Sequence, residues 1–295
     1  MPSGALLFQS VILGLLLGGL YALLAAGLTL YFGIMRVVMI AHSAFLILAA
    51  YLAWWSHTRL GVDPLLSMIA TVPLFFACGV LLQRLLLARL RPATLTMMSV
   101  LLTFAIAVAI EGLLGYAFDG TQRRVQLGYG SASFGILGAR VAVVKLIAFG
   151  LAAVALATLY LLMKKTTFGW ALRATIQHRD AARLVGIETE RVAGYGFGLG
   201  LATAAVGGTA LALDTTIYPS LHWHWIGPLM AIIVVGGLGS VPGAAMAAMV
   251  LGMLQSLLQI PLGTTWAQTI FYLALFATLA FRPQGFFGGR LAQRF

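Results

Sequence analysis

FGWALRATIQHRDAARLVGIETERV, residues 168–192, is the longest polar, charge-rich interval in the chain. Two apolar runs bound it, 141–163 and 193–213, and each is long enough to cross a bilayer core of about 30 Å as a helix. The interval therefore reads as a connection at a membrane surface, and the runs beside it as spans. From Trp170 to Asp180 it has helical spacing, and Gly186 marks a helix end, since glycine takes the left-handed conformation that closes helices.

Outward from this interval the same alternation recurs. Of 295 residues 61% are hydrophobic and 8% charged, against about 25% charged in soluble domains, which need charge to cover a wetted surface. Apolar segments fall at 5–34, 37–55, 64–82, 93–117, 141–163, 193–213, 228–258 and 264–281. The fold class is an all-α polytopic bundle of eight to nine membrane segments, a single membrane domain over 1–295. A β-barrel would alternate over stretches of about 10 residues, and that pattern is missing. Gly14, Gly18, Gly19 and Gly27 allow bends or close helix contacts in the first segment. Residues 118–140 read as an extramembrane loop with a small hairpin.

The segment at 228–258 is interrupted by GGLGSVPG, 236–243. The glycine spacing does not fit a dinucleotide-binding loop, whose third glycine falls one residue earlier. Gly237, Gly239, Ser240 and Pro242 instead suggest a broken or re-entrant helix. Freed backbone groups are tolerated where protein or a water-filled path satisfies them; the other reading is a tight helix crossing.

Orientation follows from the basic residues. Arg36, the loop with Arg84, Arg89 and Arg91, the interval 164–192 and the tail hold most of the 18 Lys and Arg. Alternating spans put these on one side, expected to be cytoplasmic. The N-terminus is then outside and the C-terminus inside, provided the 228–258 segment crosses twice or dips and returns. The net charge of +11 is thus a topology signal and not a nucleic-acid footprint.

Catalysis finds little support. Cys78 is alone, so neither a disulfide nor a thiolate metal site is expected. None of Lys145, Lys164 and Lys165 follows a glycine, so there is no phosphate loop. The chain is expected to be a non-enzyme with no cofactor or metal of its own. His42 lies six residues past Arg36, roughly 9 Å along a helix, and an ionisable group at membrane depth is a functional candidate. With Ser43 and the 236–243 break it is a candidate for lining a path. Glu111 and Lys145, near the same ends of adjacent segments, are expected to pair. His222-Trp223-His224-Trp225 is read as an outer-loop aromatic belt, and Asp119 and Asp214 as solvated loop residues.

Within the opening interval, Asp180-Ala181-Ala182 followed by Gly186 resembles the Glu-Ala-Ala loop of ABC importer permeases. Three further blocks extend the likeness: GLTLYFGIMRVVMIAHSAFLILAAY at 27–51, VGGLGSVPGAAMAAMVLG at 235–252 and AFRPQGFFG at 280–288. Together they resemble the LivH-type branched-chain amino acid permease family. The resemblance implies an inner-membrane permease subunit of an ATP-driven importer. It implies a second permease (LivM-like, or a second copy), two cytoplasmic ATPase subunits carrying ATP and Mg, and a periplasmic binding protein, all around a lipid bilayer. It assigns ATPase coupling to Arg173, Asp180, Ala181, Ala182 and Gly186. Where the family reads Asn-Phe-Ala-His-Gly this chain has Met39-Ile40-Ala41-His42-Ser43, and an acidic residue usual near Gln177-His178 is missing. Relatives carrying urea, short amides or other amino acids keep those substrates open. A stand-alone secondary transporter or channel would want charged relays inside the membrane, for which only His42 and Glu111 are available.

Overall fold

The computed structural model describes residues 4–287 except 36, 38, 91–94, 129, 131, 137 and 138. Arg36, Arg91 and the tail beyond 287, used in the orientation reading, lie outside the described residues. The helices are α1 (Gly4–Met35), α2 (Ala41–Leu60), α3 (Pro64–Leu85), α4 (Leu95–Phe118), α5 (Val143–Lys165), α6 (Thr167–Gln177), α7 (Arg179–Leu184), α8 (Thr189–Asp214), α9 (His222–Gly236) and α10 (Val241–Phe281). Between α4 and α5 lies the expected hairpin, β1 (Ser133–Ile136) against β2 (Ala139–Ala142), antiparallel with Ser133 opposite Ala142.

Six helices among the described residues are long and apolar enough to cross a membrane: α1, α3, α4, α5, α8 and α10. The expected eight to nine segments are not reached on that measure. Polar residues such as His42, Ser56, His57 and Arg59 lower the apolarity of α2, and α9 has only 15 residues, about 22 Å at 1.5 Å each. The 41-residue α10 is about 61 Å of helix, twice a bilayer core. It is broken at Gly263, whose φ of 78° and ψ of 172° are not helical, two residues after Pro261. Its second half, 264–281, coincides with the last segment read from the sequence, whereas the 228–258 segment is divided between α9 and the first half of α10.

The helices sort into an inner and an outer set. In the most apolar stretch of α8, 89% of residues are buried, and in α1 72%; in α3, α4 and α5 the shares are 22, 28 and 17%. Inner helices bury both faces, and outer ones leave an apolar face for lipid. Burial of the inner set rests on small residues, because apolar helices in lipid gain little from the hydrophobic effect and associate by close packing. A Cβ at Gly18 would stand 2.7 Å from Met249 Cα of α10, and one at Gly79 of α3 would stand 2.8 Å from Gly198 Cα of α8. α8 thus lies against α1, α2, α3 and α5 at once.

Candidate functional site

α6 begins where Thr166 Oγ1 accepts from Gly169 N at 3.1 Å. The helix expected through Asp180 is interrupted at His178, whose φ of −153° and ψ of 97° are extended. Its ring accepts from Ala181 N at 3.4 Å and so starts α7 afresh. The end at Gly186 stands as expected. Gly186 N donates to Arg183 O and Ile187 N to Ala182 O, both at 3.0 Å, with Gly186 at φ 86°; this is the Schellman closure.

Of the residues assigned to coupling, Asp180, Ala181 and Gly186 are exposed on α7 and its closing turn, while Ala182 is buried beneath them. Arg173 stands apart on α6, its guanidinium 5.3 Å from the Trp170 ring centre. Two residues missed in the sequence join the exposed turn: Leu184 and Val185 are 90% and 77% exposed. An adjacent apolar pair ending a short polar helix before glycine was the available signal. α7 is tied to the first turn of α8. Arg179 Nη2 and Arg183 Nη2 donate to Glu190 Oε1 at 2.6 and 3.1 Å, and Arg183 Nε donates to Thr189 Oγ1 at 2.9 Å.

GGLGSVPG does break the helix. Gly237 and Gly239 have φ of 98° and 83°, and Ser240 caps α10 by accepting from Gly243 N at 3.1 Å, with Pro242 in the first turn. Three backbone N–H groups at the break are bonded within the protein: Gly237 N to Val234 O, Ser240 N to Gly237 O and Ala244 N to Ser240 O. A Cβ at Gly239 would lie 3.1 Å from Gly33 Cα, and Phe286 N donates to Val235 O at 2.9 Å. The break is a packed crossing of α1, the α9–α10 turn and the segment after α10.

His42 is 1% exposed, and its Nε2–H donates to Leu24 O at 2.8 Å. Its ring meets Tyr31 edge-on at 5.5 Å. Ser43 Oγ donates to Ile40 O, not to the imidazole. His42 is a buried link between α1 and α2.

The expected Glu111–Lys145 pair does not form. Lys145 Nζ meets Asp214 Oδ2 at 2.7 Å, whereas Glu111 Oε2 accepts from Trp223 Nε1 at 3.0 Å with His222 Nε2 at 3.8 Å. α4 packs on α2 and on the turn before α9, while α5 packs on α1 and α8, so the two charges face different helices. Asp214 is the last residue of α8 and not a solvated loop carboxylate. His222 to Trp225 form the first turn of α9, not a loop, with His222 and Trp225 buried. No group of three His, Cys, Asp or Glu fit to hold a metal ion occurs among the described residues.

This arrangement, an apolar bundle with one surface element lashed to its central helix, agrees with comparison to known proteins. The family described as branched-chain amino acid transport system, permease component, matches residues 10–279. The chain is 24% identical over 293 residues to the high-affinity branched-chain amino acid transport system permease protein BraD of Pseudomonas aeruginosa, covering 95% of each. It is 28% identical to the probable branched-chain amino acid transport permease protein LivH of Methanocaldococcus jannaschii, covering 91% of this chain and 89% of that one. To the high-affinity LivH of Escherichia coli K12 it is 26% identical, covering 95% of each. With nearly its whole length matched, the chain belongs to the branched-chain amino acid transport system permease family and is a multi-pass protein of the inner membrane.

Proposed function

We propose that the chain is the membrane subunit of an importer that moves branched-chain or related hydrophobic amino acids inward, driven by ATP hydrolysed on partner subunits. The subunit makes no covalent chemistry; ATP and Mg belong to two cytoplasmic ATPases. A second permease and a periplasmic binding protein complete the assembly. The α6–α7 end is cytoplasmic in this reading, the N-terminus is outside, and the two halves of α10 cross separately.

The observation that carries the proposal is the exposed tip of α7. Leu184 and Val185 are left largely uncovered by the described residues, yet Arg179 and Arg183 bind the turn to Glu190 of α8. An ATPase groove that buried the two apolar side chains would hold α7, and movement of that groove would reach α8. Because α8 packs on α1, α2, α3 and α5, it would pass displacement to most of the bundle.

Gly186→Val tests this in the assembled importer. A Cβ at Gly186 meets nothing within 4 Å, so only the turn geometry is disturbed. Uptake should fall at least about tenfold, a coupling loss of ~1.4 kcal/mol, while ATP hydrolysis continues. Unchanged uptake per ATP would reject the docking role. Uptake by this chain alone in liposomes, without any ATPase, would reject the importer reading.

A further inference from the structure

We propose that the ion pair of Lys145 and Asp214 is a reversible latch on the outer ends of α5 and α8, closed in this conformation and released when the bundle opens outward. The proposal rests on the importer reading above and names the point at which motion started at α7 is held. At their inner ends α5 and α8 are joined by the coupling element, because α5 runs through α6 and α7 into α8. At their outer ends the chain does not join them. There Lys145 Nζ donates to Asp214 Oδ2 at 2.7 Å and closes the loop.

Two observations set this pair apart from a fixed brace. The first is the sign of each charge. Lys145 lies in the first turn of α5, and Asp214 is the last residue of α8. A helix carries partial positive charge at its N-terminus and partial negative charge at its C-terminus, so each side chain sits at the pole that repels it. The first turn of α5 has no acidic residue and the last turn of α8 no basic one to offset this. Each charge is favoured only by the other helix, through its side-chain partner and its opposite pole. That gain exists while the two ends are together and is lost when they part, so the contact works as a two-position device.

The second observation is the room to part. Along its middle α8 is held by glycines: a Cβ at Gly198 would stand 2.8 Å from Phe76 O of α3, and one at Gly207 2.7 Å from Leu24 Cδ2 of α1. At the outer end Thr215, the residue after Asp214, lines a cavity of about 230 Å³ with Tyr21, Leu221 and Trp225. α5, on the other side of the pair, is the least buried of the six long helices. The side chains of Lys145 and Asp214 are 36% and 16% exposed, so water is at hand to receive both charges on release.

The test uses the complete importer in liposomes, with Lys145→Cys and Asp214→Cys in a Cys78→Ala background, joined by a short reducible bis-methanethiosulfonate. Joining should lower ATP-driven leucine uptake at least about tenfold, because one of two states is then closed off, and a thiol reductant should restore it. The reagent should make no difference to either single-cysteine variant. Equal uptake by the joined and reduced forms would make the pair a fixed brace and overturn the latch, with the importer reading intact. A second measurement needs no cargo. Lys145→Met and Asp214→Asn should each raise ATP hydrolysis in the absence of leucine and binding protein about threefold, the scale of a helix-pole contact, and the double variant should go no further than either. Unchanged hydrolysis in both single variants would overturn the latch. If the Cys78→Ala parent takes up no leucine, the substrate reading falls and the hydrolysis measurement still decides the latch.

Discussion

The chain turns on left-handed glycines in two places that look alike in sequence and differ in surroundings. At Gly186 a side chain would meet nothing within 4 Å. At the α9–α10 turn, glycines touch glycines: Gly239 lies on Gly33, and a Cβ at Gly285 would stand 2.5 Å from Gly237 Cα. The first turn ends in solvent with apolar Leu184 and Val185 bare; the second is wedged between α1 and the segment after α10. Backbone freedom serves presentation in one and close approach in the other. A turn built to be gripped has to leave space around it, whereas a turn that holds helices together has none.

The largest expected effect separates the two directly. A Cβ at Gly236 would fall 2.5 Å from Ala244 N and Gly243 C, both backbone atoms that cannot rotate aside. Gly236→Val should therefore cost at least about 3 kcal/mol, as severe overpacking does. The loss would show as low recovery and an early melt in detergent. Gly186→Ala meets no neighbour and should cost only about 1 kcal/mol, from the positive φ. Equal melting temperatures for the two variants would break the comparison.

Ser240→Ala gives the next effect. Its hydroxyl caps the first turn of α10 at 3.1 Å within the wedge, and a lost cap costs about 1 kcal/mol. Thermal unfolding should move by a few degrees, and Ser240→Asp, which restores an acceptor, should recover it. Failure of aspartate to rescue would mean that the site tolerates no charge, and the wedge would then be drier than its polar composition implies.

Much of this was legible in sequence because it depends on runs and punctuation. Apolar stretches marked the long helices, GGLGSVPG marked the break, and Gly186 marked the end of α7. What depends on neighbours was not legible. Lys145 and Glu111 share a level in the sequence pattern of spans, but partner choice follows which helices touch, and Asp214 at the end of α8 is the carboxylate that Lys145 meets. His222 to Trp225 looked like a loop because alternating histidine and tryptophan has no apolar stripe, yet they open α9. His178 divides the surface element through its backbone angles, and no breaker residue announces it. At the candidate site the coupling turn was readable in outline, while exposure of Leu184 and Val185 and the Glu190 link came only from three dimensions.

The smallest expected change in stability belongs to Glu190→Gln, and it sharpens the comparison most on the exposed side. Glu190 is 54% exposed, and exposed ion pairs contribute a few tenths of a kcal/mol, so melting should barely move. Yet this one carboxylate receives both Arg179 and Arg183 and joins α7 to α8. Glu188→Gln is the matched control. Glu188 pairs with Arg191 at 2.7 Å three residues along, a contact that does not reach α7. In the assembled importer, Glu190→Gln should lower uptake per ATP hydrolysed by about threefold, a coupling loss of ~0.6 kcal/mol, and Glu188→Gln should leave it unchanged. Equal effects from both would mean that surface charge near the membrane matters and the α7–α8 link does not. An effect confined to Glu190 would make the bare turn a lever, in contrast to the glycine wedge packed between α1 and the segment after α10.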